Sequence, residues 1–207
     1  MNEPTWLTIG RELQAIAQTG LHFSKDPFDL QRFGRVQELA TAIMADVSGD
    51  DPGTLLSLFK QGEGYATPKV DVRGAAFRDG RILMVREISD GLWTLPGGWA
   101  DVNQTAAQCV VREIFEESGF EARALKLAAV HDKQKRSVSV RVPFSIYKMF
   151  FLCEITGGAA RASNETSEVA FFERDGLPPL SLGRATAEQI DLMFTHRDDR
   201  ARATDFD

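Results

Sequence analysis

Apolar residues change their spacing once along this chain, and the change divides it. From Thr5 to about Gln61 they recur every three or four positions, as in Trp6, Ile9, Leu13, Ile16 and Ala17, then in Phe33, Val36, Leu39, Ala40, Ile43 and Val47. That spacing predicts helices with one buried side. The first two are expected to stop before Gly20 and Gly49, a shorter third is expected over 54–59, and Asp26 or Asp29 is placed to cap the second. Between Gly62 and Pro68 glycine and proline interrupt the pattern, and beyond them β-branched and aromatic residues gather in strand-length runs. The expected organisation is a helical domain over residues 1–61, a linker over 62–68 and a larger domain over 69–207. Three short helices bury too little apolar surface to stand alone, so their open sides need the larger domain or a second copy of the chain. A homodimer is the expected assembly.

In the larger part, runs at 70–77 and 81–87 flank Arg78-Asp79-Gly80 and predict a hairpin. A short run at 92–95 delivers the chain to Gly97, and long strands are expected over 121–132 and 144–154, with the basic turn Lys133-Gln134-Lys135-Arg136 between them. A last strand at 168–173 and a helix at 185–196 close the chain.

The stretch from Gly98 to Phe120, GWADVNQTAAQCVVREIFEESGF, carries the chemistry. At about 100° per residue, Glu113, Glu116 and Glu117 share one side of a helix, and Ala107, Val111, Ile114, Phe115 and Ser118 the other. Three like charges on one stripe repel by a few tenths of a kcal/mol per pair, so a cation is needed to make the arrangement useful. A hard divalent ion fits oxygen ligands and completes its shell with substrate phosphates, which points to phosphate chemistry. Thr105 or Asn103 is placed to cap this helix and Gly119 to end it. Gly97 and Gly98 allow the backbone close to a ligand.

The same stretch resembles the Nudix box, G-x5-E-x7-R-E-U-x-E-E-x-G-U with U apolar, and departs from it once, at Gln104, where the family has glutamate. An amide brings no charge and cannot serve as a base near neutral pH; Asp101, in the same loop, is the substitute carboxylate. Residues 16–21, 67–74, 92–102, 165–169 and 177–181 extend the resemblance to Nudix hydrolases with an N-terminal helical domain, a group that includes CDP-choline pyrophosphatases and ADP-ribose pyrophosphatases. In that group the loop Trp99-Ala100-Asp101-Val102 often occurs without the box's first glutamate.

The resemblance implies an α+β fold: a Nudix α/β/α sandwich with a mixed sheet, preceded by a small all-helical domain. It implies water attack on the pyrophosphate of a nucleoside diphosphate linked to another group, of CDP-choline or ADP-ribose type, releasing a nucleoside monophosphate. Mg²⁺, or Mn²⁺ in its place, is held by Glu113, Glu116 and Glu117 with the Gly98 carbonyl, and Arg112 steadies a neighbouring glutamate. Glu165 and Glu168 are the candidates for a base or extra ligand, with Glu168 slightly favoured by its place before an apolar run. Arg73 and Arg86 are candidates to clamp phosphate bidentately, and Trp99 to stack on a base. His131 suits a hydrogen-bonded loop position, Lys133, Lys135 and Arg136 a solvated turn, and Trp93 the core. A nucleotide-sensing module with weak turnover is the alternative from another class, and a sanitiser of damaged nucleoside triphosphates a third.

A net charge of −6 disfavours a stable nucleic-acid complex. Cys109 and Cys153 suit core thiols in a reducing compartment. The chain opens without a basic and apolar leader, and its longest apolar stretch, 144–155, is interrupted by Lys148 and too short to cross a bilayer. The expected compartment is the cytoplasm, without membrane partners.

Overall fold

The computed structural model of the chain describes residues 4–60, 62–136 and 143–207, without the side chain of Val47, and divides into two compact units. The first holds the described residues up to Pro68 together with 143–145, and the second holds the rest. Val47, expected on the apolar side of the second helix, and Gln61, the expected last helical residue, lie outside the described residues.

The first unit is α1 (Thr5–Phe23), α2 (Pro27–Ser48) and α3 (Pro52–Lys60). Asp26 caps α2 by accepting the Phe28 and Asp29 N–H groups at 2.9 and 3.0 Å, with Pro27 in the first turn. Gly49, at φ 80°, ends it in the left-handed conformation that glycine adopts without penalty. Gly20 does not end α1 as expected. It lies inside the helix, where a Cβ would come within 2.4 Å of the Phe33 ring, and Gly10 meets Met44 in the same way at 2.8 Å. These two glycines turn the packed side of α1 towards Leu7, Gln14 and Ala17. Ile9 and Ile16, expected to be buried, stay 46% and 48% exposed, and Leu39 of α2 is 45% exposed.

In the second unit, β1 (Lys69–Arg78) and β2 (Arg81–Glu87) pair as the expected hairpin, turning at Asp79 and Gly80 with φ 51° and 77°. The strands β3 (Trp93–Thr94), β4 (Phe120–Asp132), β5 (Ile146–Gly158), β6 (Thr166–Phe172) and β7 (Asp205–Phe206) complete one sheet. Its order is β3-β2-β1-β5-β4-β7, with β6 also paired to β2; β1 runs parallel to β5, and β4 antiparallel to it. The sheet is mixed.

Neighbouring residues of a strand face opposite sides, and both sides are buried here. Ala75, Met84, Ala129 and Phe150 pack with Ile190, Met193 and Phe194 of α6 (Ala187–Asp198), the closing helix. Ala76, Leu83, Phe151 and Cys153 pack instead with Cys109, Val110 and Ile114 of α4 (Ala106–Ser118). The result is an α/β/α sandwich, with each fully buried large apolar side chain contributing about 1.5–3 kcal/mol. Gly74 of β1 allows α4 to lie close, since a Cβ there would stand 2.6 Å from the Ile114 side chain. The basic turn after β4 is a short helix, α5 (Lys133–Arg136), and Lys133 is buried rather than solvated. No helix among the described residues is long and apolar enough to cross a membrane.

Candidate active site

The carboxylate helix α4 is held at both ends. Thr105 accepts the Gln108 N–H at 3.2 Å, and the Gln108 side chain accepts the Thr105 N–H at 2.8 Å, a reciprocal cap. Gly119, at φ 76°, receives the chain at the other end. Phe115, expected on the apolar side, is 43% exposed beside Arg161, whereas Glu117 is only 5% exposed. The burial stripe is rotated towards Glu117 because the helix rests on Gly74 through Val110 and Ile114.

One cavity of about 550 Å³ runs along this face. Its walls carry six carboxylates, Glu87, Asp101, Glu113, Glu116, Glu117 and Glu165, against three guanidinium groups, Arg73, Arg112 and Arg184. Arg112 organises the rim: it reaches Glu116 at 2.6 Å, Asp101 at 2.7 Å, Glu113 at 3.0 Å and the Gln104 amide oxygen at 3.4 Å. Deeper in, Glu117 accepts the Gly97 N–H at 2.9 Å. Burial pushes the Glu117 carboxyl up to about 8, Glu87 and Glu113 adding to the effect, while the Gly97 N–H and Arg73 oppose it. Glu113 is raised by burial against the pull of Arg112, and Glu87 by burial against the pull of Arg184.

This donor set suits a hard divalent cation. It is all oxygen, and six carboxylates against three guanidinium groups line one space. Among the described residues no three such side chains already converge at ligand spacing; Arg112 draws Glu113 and Glu116 to itself. The Gly98 carbonyl, expected as a further ligand, accepts the Val72 N–H at 2.8 Å and keeps one lone pair for another partner.

Several expected roles change on inspection of the contacts. Arg73 lines the cavity, but its fork is taken by Asp71 at 2.8 and 2.9 Å, with a further bond to the Leu95 carbonyl at 3.2 Å. It contributes charge, not a bidentate clamp. Arg86 does not line the cavity; it donates to the Gly91 carbonyl at 2.8 Å and pairs with Glu168 at 2.5 Å. Cross-strand pairing sets that contact, since Arg86 of β2 stands opposite Glu168 of β6. Glu168, paired with Arg86, does not line the cavity, whereas Glu165, in the loop before β6, does. Trp99 and Asp101 both lie at the cavity. His131 is buried between Asp205 at 2.7 Å and Gln189 at 3.4 Å, outside it. Trp93 packs edge-on against Phe172 in the core.

Two residues of the cavity wall and one buried behind it were not singled out by the sequence. Glu87 and Arg184 face each other at 3.0 Å across the cavity wall, and Arg184 also holds Asp90 at 2.9 Å. Nothing local marks either as special. Lys148 left a trace, as the charge interrupting an apolar run; it is 2% exposed, stands opposite Asp71 across the parallel β1–β5 pair, and donates to the Arg184 carbonyl.

Known proteins resemble this chain along most of its length. A family profile described as the NUDIX domain matches residues 68–193, and one described as a UDP-X-like, N-terminal oligomerisation domain matches residues 4–59. A Bacillus subtilis protein provisionally named an ADP-ribose pyrophosphatase is 43% identical over 189 residues, 91% of this chain and 90% of its own. A crystal structure of an ADP-ribose pyrophosphatase from Streptococcus suis is 42% identical with a TM-score of 0.63, covering 68% of this chain and 100% of that one. A crystal structure of a UDP-X diphosphatase is 31% identical with a TM-score of 0.64 over 100% of both chains.

Proposed function

Because the chain belongs to the Nudix hydrolase family, we propose that it hydrolyses the pyrophosphate bond of a nucleoside diphosphate linked to a second group, of ADP-ribose or CDP-choline type, with the help of Mg²⁺ or Mn²⁺. The observation that supports this most is the cavity in which Glu113, Glu116 and Glu117 stand with Arg112, carboxylates outnumbering guanidinium groups. Glu113, Glu116 and Glu117 would hold the cation, with the free lone pair of the Gly98 carbonyl available. When bound, the ion supplies positive charge that stabilises the charge gathering on the phosphate oxygens.

The remaining work falls to the protein. Arg112 keeps Glu113 and Glu116 aligned, and the Gly97 N–H does the same for Glu117. Arg184 and Arg73 place cationic charge on the cavity wall, where it would face a diphosphate. Glu165, facing the cavity from its loop, is the proposed base that takes a proton from the attacking water. Water adds to one phosphorus and the P–O–P bridge breaks, leaving a nucleoside monophosphate and the phosphorylated second group. In this reading residues 1–61 form the helical domain, 62–68 the linker and 69–207 the hydrolase domain. The open Ile9, Ile16 and Leu39 side chains support a homodimer through the helices.

Incubation with ADP-ribose, a UDP-sugar and CDP-choline in the presence of Mg²⁺, followed by chromatography, tests the reaction. Release of nucleoside monophosphate that stops on chelation is expected. No monophosphate from any of them would overturn the assignment.

A further inference from the structure

Arg73 and Arg184 reach the cavity wall from places far apart in the chain, one on β1 and the other in the loop before α6. Behind the wall both are tied to one buried amine. Lys148 of β5 is 2% exposed and does not line the cavity. Its Nζ lies 3.7 Å from Asp71, the carboxylate that holds the Arg73 fork, and donates to the Arg184 carbonyl. That carbonyl belongs to a tight turn, in which the Ser181 carbonyl accepts the Arg184 and Ala185 N–H groups at 2.8 and 3.1 Å. From the turn, the Arg184 side chain reaches Glu87 and Asp90.

We propose that Lys148 is a positioning residue for the diphosphate: from behind the wall it fixes Arg73 and Arg184 relative to one another, and its ammonium charge adds to the pull they exert on the phosphates. This role rests on the hydrolase reading above and adds to it a group that acts only through others. A buried ammonium is unfavourable to the fold unless it is fully paired. Here the pairing is incomplete. Asp71 is shared with Arg73, and Lys133 of α5 brings a third cation. His131, opposite Lys148 on β4, has its ring nitrogens at Asp205 and Gln189 instead. Among the described residues, Asp71 is the one carboxylate paired with the amine.

The same layout couples the amine to the cavity. Burial holds it down at about 7, Arg73 and Lys133 adding to that effect and Asp71 opposing it. Arg73 thus acts on Lys148 across Asp71, and an anion set against Arg73 acts with the opposite sign. A bound diphosphate favours the ammonium form, so by reciprocity the ammonium form favours the diphosphate. Each unit by which the diphosphate raises the amine corresponds to about tenfold tighter binding at the acid end. Affinity is highest below about pH 7, where the amine is protonated with or without ligand, falls as pH rises through that value, and levels off above the raised one.

Two measurements at saturating Mg²⁺, which keeps the helix carboxylates ionised, test this role. One is KM for ADP-ribose from about pH 6 to 9; the other is calorimetric binding of α,β-methylene-ADP at about pH 8 in buffers of different ionisation enthalpy. The wild-type protein is expected to take up part of a proton on binding and to show a KM that rises about tenfold across the range. Lys148→Met is expected to lose that uptake and hold KM near the alkaline value at every pH. Lys148→Arg, charged throughout, is expected to hold it near the acid value, with kcat and the Mg²⁺ requirement little changed in both. A KM in the wild type that ignores pH, or one raised alike in both variants, overturns the proposal. Should neither variant fold, the wild-type calorimetry decides alone, and no proton uptake overturns it. Proton uptake without release of monophosphate from ADP-ribose would remove the hydrolase reading and leave Lys148 its role in binding. Turnover with a pH-independent KM would do the reverse.

Discussion

Replacing Lys148 by methionine tests the electrostatics beneath the site. Burial pushes the Lys148 amine down from its ordinary value of 10.5 to about 7, Asp71 opposing that effect while Arg73 and Lys133 add to it. At roughly 1.4 kcal/mol per tenfold in the proton equilibrium, holding this amine inside costs at most about 5 kcal/mol. Below about pH 7 the amine is charged in both the folded and the unfolded chain, and the whole cost is present. Between about pH 7 and 10.5 the unfolded chain carries one proton more than the folded one, so stability rises with pH across that window. Methionine has similar length and no charge. It removes the titration, leaves Asp71 bonded twice to Arg73, and leaves the Arg184 carbonyl without a donor at a loss of about 1–3 kcal/mol. The diagnostic is therefore the slope and not the absolute stability. Between pH 7.5 and 9.5 the slope of unfolding free energy against pH is expected to be shallower in Lys148→Met by up to about 1.4 kcal/mol per pH unit. Cys109 and Cys153, the chain's two cysteines, are buried in the second unit, so thiol labelling in urea, pulsed at one fixed pH, follows that unit alone. Parallel slopes for the two proteins would refute the argument.

Three further outcomes follow from particular contacts. In Gly97→Ala a Cβ would lie 2.0 Å from the Val72 carbonyl oxygen at φ 144°, so a loss of roughly 3 kcal/mol or more is expected, visible as a lowered thermal midpoint or as insolubility. Thr105→Ala removes the cap of α4 at a cost of about 1 kcal/mol, a fall of about 2–4 °C in a melting scan. Glu116→Gln, at an exposed position, is expected to leave the melt almost unchanged, to lower kcat by about a hundredfold or more, and to raise the Mg²⁺ concentration needed for half-maximal rate. An unaltered rate would remove Glu116 from the site.

Local rules carry a long way along this chain. The Asp79-Gly80 hairpin, the Asp26 and Thr105 caps and the left-handed Gly49 and Gly119 are decided by residues within a few positions of one another, and the structure has them where those rules put them. They fail where a distant element has the deciding contact. Gly20 looks like a helix end in isolation and is a recess for Phe33. Phe115 looks apolar-facing by angle alone, yet the close seat on Gly74 turns Glu117 inward and Phe115 out.

The site divides in the same way. The order of residues by itself determined that Glu113, Glu116, Glu117 and Arg112 share a short helix held by a threonine cap and a glycine, because helical geometry reaches only a few residues. Tertiary structure alone decided that Arg86 is taken by Glu168, that Arg73 is taken by Asp71, that Glu87 and Arg184 meet at the cavity wall, and that Lys148 is buried against the Arg184 carbonyl. Those pairings join residues 2 to 97 positions apart, through strand register and burial. The free energy of a charge depends on what is packed around it, and spacing along the chain carries no record of that.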